Sequence, residues 1–284
     1  MTGQLRYVYA VCPPLGAASA LPSDLAGVAG GAPTPLTHHG LTAVVGTVPE
    51  GDFAEEPLRR RLEDLDWLTA TARAHQQVVD ALMTVTTPLP LRLATVFRDD
   101  NGVRVMLEER ASHFRGALER LEGRVEWGVK VYVEPEAEPT DSGDAVTRPA
   151  SGRDYLRRRR QRATAHEDAW QRVEHFAGRL HTTLSAHAEA ARLHPPQNAA
   201  LSGAAGRNVL NAAYLVPRTR SEEFTAIADG AKHGEPGTRV QVTGPWAAYS
   251  FLDSDSGSDS GSGSGSDGDG DGDGTGPDGE ERKP

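Results

Sequence analysis

Residues 153–162 read RDYLRRRRQR, six arginines and one aspartate in a chain whose formal charge is −10. A basic cluster this dense can grip phosphates, meet an acidic partner, or stay hydrated on a helix face. One basic turn supplies only a few phosphate contacts, and no aromatic platform or base-reading motif accompanies it. Arginines also oppose the dipole at a helix start, which makes a binding role worth weighing. The partner-binding candidates are Arg157, Arg158, Arg159 and Arg160, and a nucleic-acid-binding module is kept as the alternative.

The histidines give no catalytic set. His75 falls on the apolar face of a helical pattern and reads as a satisfied core histidine, because no serine or cysteine nucleophile motif occurs. His166, His175, His181, His187 and His194 are never four residues apart, so no HExxH-like pair forms. His38 and His39 sit beside Gly40 with no carboxylate neighbour in the sequence, and weak metal binding there stays open.

Residues 123–130, GRVEWGVK, have the Gly-x4-Gly spacing of a phosphate loop but continue Val-Lys and read as a strand. GVAGGA (27–32) has no preceding strand to make it a dinucleotide turn. Asp267, Asp269, Asp271, Gly272, Asp273 and Asp278 match positions of a calcium loop, yet Gly/Ser repeats flank them instead of helices. The single cysteine, Cys12, ends the apolar run YVYAVC and is expected as a buried strand thiol. One cysteine excludes an intrachain disulfide and favours a reducing compartment. No enzymatic activity, cofactor or metal set is expected.

The elements that must position these residues follow from periodicity. Strands are expected at 5–12, 41–49, 91–97, 125–133, 208–218 and 238–251, with a long loop over 13–40. In 125–133, Val125, Trp127, Val129, Val131 and Val133 should face a core while Glu126, Lys130 and Tyr132 face water. Helical spacing links Leu68, Ala72, His75, Val79 and Leu82, and a second helix covers about 103–123.

Small or apolar residues recur every seven positions from Leu156 through Ala163, Trp170, Ala177 and Leu184 to Ala191. They predict one long amphipathic helix over 154–193. The strand–helix alternation from Val125 onward implies parallel or mixed pairing with helices on one or both faces.

Residues 134–152 are Pro-rich and polar and read as a flexible loop. Residues 253–284 carry ten acidic and two basic residues, so the acidity of the chain belongs to a disordered Asp/Gly/Ser tail. No run reaches the ~20 apolar residues of a membrane span. The start of the chain lacks the pattern of a secretion signal, so a cytoplasmic protein is expected.

Several blocks together resemble the gas vesicle protein F/L family (GvpF/GvpL). They are YVYAV, LTAVVGTVP, WLTATARAHQQVV, PLPLRLATVF, LEGRVEWGVKVYV, YLRRRR, NAAYLVPR and VTGPWAAYSF, in order from about residue 6 to 251. The sequence departs from the family pattern at Ala247-Ala248, where prolines would follow the tryptophan, in the longer 134–152 segment, and in the tail.

The resemblance implies an α+β fold of two domains joined through the long helix region. An N-terminal mixed α+β domain would span 1–123, and a C-terminal modified ferredoxin-like domain 124–252. It implies an accessory or minor structural protein of gas vesicle formation that binds the hydrophobic shell protein during assembly. Its partners would be shell protein and other gas vesicle accessory proteins, its place the gas vesicle or the cytoplasm. It carries over no catalytic residues.

Overall fold

A computed structural model describes residues 3–16, 21–134, 152–196 and 206–252. Nearly all of the expected loop at 134–152, and the whole acidic tail with its calcium-like spacing, lie outside the described residues.

Strand β1, Gln4–Cys12, forms where β-branched and aromatic residues run up to Pro13. The segment expected as a loop holds a second strand, β2, Thr34–His38, paired antiparallel with β3, Leu41–Pro49. TPLTH carries a proline and buries only Leu36, so it has no alternation to read; such a segment is tolerated at a sheet edge.

Short helices α1 (Glu50–Phe53) and α2 (Glu55–Arg61) lead to α3, Leu65–Met83. Asp64 caps α3 by accepting from the backbone amides of Asp66 and Trp67. The strand expected at 91–97 is broken. In its place two short strands, β4, Leu89–Pro90, and β5, Val96–Phe97, pair with β1, because Ala94 sits in the left-handed region (φ 61°) between them. The helix expected over 103–123 splits at Arg110 into α4, Asp100–Glu109, and α5, Ala111–Leu121.

The sheet order is β2-β3-β1-β4, with β5 also on β1. A central strand must bury both faces, and a bulge decides which residues go where. The register against β3 shifts between Val8 and Ala10. Val8 and Val11 therefore enter the core containing Leu107, Phe114 and Leu121 of α4 and α5. Tyr7, Tyr9, Ala10 and Cys12 enter the core containing Val78 and Leu82 of α3. Cys12 is a buried strand thiol as expected, and burial pushes its pKa up to about 12.

The second sheet begins with β6, Arg124–Val133. Helix α6, Gly152–Ala186, follows and stops seven residues short of the expected end. The chain then enters β7, Ala190–Leu193, which pairs with β8, Arg207–Pro217. Helix α7, Ser221–Gly230, leads to β9, Thr238–Trp246.

The strand order is β7-β8-β6-β9, and every neighbouring pair is antiparallel, not parallel or mixed as the alternation implied. The two facts are compatible. Strands joined by a helix do run the same way, but an antiparallel strand lies between each such pair.

Phe176, Leu180 and Leu184 of α6 and Phe224 and Ala228 of α7 cover one face of this sheet, over Val129, Val131, Tyr214 and Val216. On the other face Ala213 and Leu215 belong to the same core as α4 and α5, together with Ala248 and Phe251. The described residues between 3 and 252 thus pack as one compact unit. Glu126 and Tyr132, expected to face water, are 8% and 2% exposed because β6 is an inner strand covered on both sides.

His75 is buried in the core as the helix pattern implied, but only one ring nitrogen is satisfied, since Nε2 has no partner among the described residues. Its Nδ1 lies 2.9 Å from the Tyr7 hydroxyl, and burial pulls its pKa from an ordinary 6.5 down to about 4. The unfolded chain therefore binds a proton that the folded chain refuses between those values. Stability should be complete above pH 6.5 and fall by up to ~3 kcal/mol as pH drops toward 4. Urea midpoints across that window measure it, and His75→Leu should flatten the slope. Leu184 is fully buried, so Leu184→Ala should cost about 2–5 kcal/mol. Arg159→Ala, on an exposed stretch, should stay within about 0.5 kcal/mol in the same assay.

Candidate functional site

Arg157, Arg158, Arg159 and Arg160 lie in the second turn of α6 and the start of the third. The helix is 35 residues long, about 52 Å at 1.5 Å per residue. Strand β8, which it lies against, has 11 residues, about 36 Å. The helix outruns the sheet, and its burial shows where contact ends. Val173, Phe176, Ala177, Leu180 and Leu184 are buried. Arg153, Leu156, Arg157, Arg159, Arg160, Thr164 and Glu167, every side chain described between 153 and 167, are exposed.

Of the described members of the seven-residue stripe, Ala177 and Leu184 are the buried ones. Leu156, its first member, is 54% exposed, and Ala191, its last, lies in β7. Two contacts mark the point where α6 is tied down. The Arg207 guanidinium stacks 4.3 Å from the Trp170 ring. Arg172 meets Glu235 at 3.4 Å. N-terminal to this anchor, alanine, arginine, glutamine and leucine sustain a helix on propensity. Chemically the stretch is a cationic rod with an apolar residue among the charges.

A second cluster surrounds the end of the described chain. Glu126 accepts hydrogen bonds from the Ser250 backbone amide and hydroxyl, both at 2.7 Å. His194 Nε2 lies 3.1 Å from the same hydroxyl. Burial pushes the Glu126 carboxyl above its ordinary range, against the pull of the Ser250 hydrogen bonds and of nearby His194 and Arg192. The serine hydroxyl serves the carboxylate, which does not orient the imidazole as in a nucleophilic triad. The arrangement holds the 3-10 turn Tyr249–Phe251 against the sheet. Sequence reasoning missed it, since alternation assigns Glu126 to water.

A cleft of about 670 Å³ is lined by Gly40 and Leu41, by the turn after α3, by α5, and by Arg218. Arg218 donates to the Met83 carbonyl at 3.1 Å, and Arg115 to the His39 carbonyl at 2.6 Å. At its rim the β2–β3 turn presents His38 and His39. The carboxylate that the local sequence does not offer them comes from α4, where Glu108 Oε2 lies 3.6 Å from His38 Nε2. Other histidines are used structurally: His181 Nδ1 lies 2.8 Å from the Tyr214 hydroxyl, and His187 faces Glu223 at 3.6 Å.

Comparison with known proteins places this geometry. The family model described as gas vesicle synthesis protein GvpL/GvpF matches residues 5–253. Gas vesicle protein L of Streptomyces sp. (strain CB03234) is 57% identical over 252 residues, covering 88% of this chain and 93% of the relative. Gas vesicle protein F of the same organism is 28% identical over 245 residues, covering 82% and 94%.

The crystal structure of GvpF from Anabaena sp. PCC7120 superposes with a TM-score of 0.63 at 18% identity, over 88% of this chain and 96% of that one. That of GvpF from Microcystis aeruginosa gives 0.59 at 17% identity, over 87% and 98%. The α+β fold with two sheets is shared with both. With its family model spanning almost all of residues 1–252, the chain belongs to the GvpL/GvpF family of gas vesicle proteins.

Proposed function

We propose that this chain is a non-enzymatic accessory protein that binds the small hydrophobic shell protein during gas vesicle assembly, through the exposed N-terminal half of α6. Family membership gives the chain a role in gas vesicle formation. The observation that carries the finer reading is the exposure of Leu156, Arg157, Arg159 and Arg160 near the start of α6. A shell subunit that buries apolar surface against its neighbours is aggregation-prone before assembly. A soluble partner with an amphipathic helix can hold such a subunit and release it. The partners would be shell protein and other gas vesicle proteins, and the place of action the vesicle or the cytoplasm. Among the described residues, no helix is long and apolar enough to cross a membrane.

The same reading divides the chain into an N-terminal α+β domain, 1–123, and a C-terminal modified ferredoxin-like domain, 124–252. What supports it is the strand–helix–strand–strand–helix–strand order of the second sheet, with each helix-linked pair split by an antiparallel strand.

Capture of purified shell protein tests the surface. Reversing Arg157, Arg158, Arg159 and Arg160 to Glu should abolish capture while leaving the urea midpoint of the protein unchanged. Equal capture by wild type and variant removes the arginines from the reading. Retention on DNA that falls steeply with salt would instead favour the nucleic-acid alternative. Deleting the gene in a vesicle-forming host should stop vesicle formation, and normal vesicles without the protein would sink the assembly role.

A further inference from the structure

We propose that His38, His39 and Glu108 form a binding site for a divalent transition-metal ion of the zinc class. One ligand atom from each, two imidazole nitrogens and a carboxylate oxygen, lies within 4.8 Å of the other two. The His38 and His39 ring centroids are 4.3 Å apart.

Adjacent residues of an extended strand point to opposite faces, so two neighbouring imidazoles do not meet by default. They meet here because the backbone departs from the strand. His38 pairs with Leu41, and the two residues between them, His39 (φ 48°) and Gly40 (φ 71°), are both left-handed. A two-residue hairpin of this kind favours Asn-Gly or Asp-Gly. Histidine at the first position breaks that preference and turns a second imidazole toward the first.

Two other elements complete the arrangement. Arg115 of α5 donates to the His39 carbonyl at 2.6 Å, which holds the turn in place. Glu108 of α4 brings its carboxylate to 3.6 Å from His38 Nε2. Its side chain is 63% exposed and has room to rotate onto an ion.

Two nitrogens and one oxygen suit zinc, copper, nickel or iron(II), whereas magnesium and calcium take oxygen ligands. Three protein ligands leave a coordination position for water or for a partner's side chain. Such an ion would tie the β2–β3 hairpin to α4 at the rim of the cleft lined by Gly40, Leu41 and Arg115. This assignment is independent of the role of α6.

Calorimetric titration of the tag-free full chain with zinc chloride tests it. Wild type should bind one equivalent, and magnesium chloride at the same concentration should give no heat. Glu108→Gln preserves shape, and His39→Asn preserves the turn. Each should weaken zinc binding by more than ~10-fold, the lower end of what losing even a supporting partner of a ligand costs. At the same zinc concentration the melting temperature should rise further in wild type than in Glu108→Gln. Absence of a one-to-one site in wild type overturns the proposal. So does wild-type affinity in either variant, which would place the bound zinc on other histidines.

Discussion

The helices that connect the strands of the second sheet, α6 and α7, cover one of its faces, and an uncovered apolar sheet face is not stable in water. Ala213 and Leu215 on the other face stay dry because they share a core with Leu107, Phe114 and Leu121 from the N-terminal half. The chain after β9 closes the same core with Ala248 and Phe251. A buried carboxylate is costly unless hydrogen bonds satisfy it, and Glu126 receives two from Ser250 of the closing turn. The common apolar layer therefore sets one sheet against the other, and the cleft runs along elements from both halves.

That layer uses one face of the second sheet, and α6 and α7 use the other. Helix α6 is longer than strand β8 beneath it, so the helix outruns the sheet. Helix stability in proteins comes mostly from a packed face. Here the packed second half, tied down at Trp170 and Arg172, supports an exposed first half. Among the side chains described in that first half, Leu156, Arg157, Arg159 and Arg160 are exposed.

The β2–β3 turn shows the same division of labour on a smaller scale. Its left-handed backbone turns two side chains together, and the helices packed beside it supply a carboxylate and a guanidinium. Ala43 and Val45 of β3 join the core that also takes Leu107 of α4, which keeps the turn and the helix in register.

Much of the fold was legible without coordinates. Strands β1, β3, β6 and β8 announce themselves through β-branched and aromatic runs, and α3 through its apolar spacing. The basic run from 157 to 160 was visible as a helix start. β2 and β7 were not legible, because TPLTH and AARL have no pattern of their own and become strands by pairing with neighbours. Nor was the packed extent of α6, since a stripe reports what a helix could bury and not how much sheet lies beneath it. Glu126 reads as a hydrated residue until the turn at Ser250 covers it. His38, His39 and Glu108 are 70 residues apart at the widest, and only the folded chain brings them together. Periodicity is a property of each segment and was determined by the sequence alone. Which faces are covered, and which distant groups meet, depended on non-local packing, and the tertiary structure decided it.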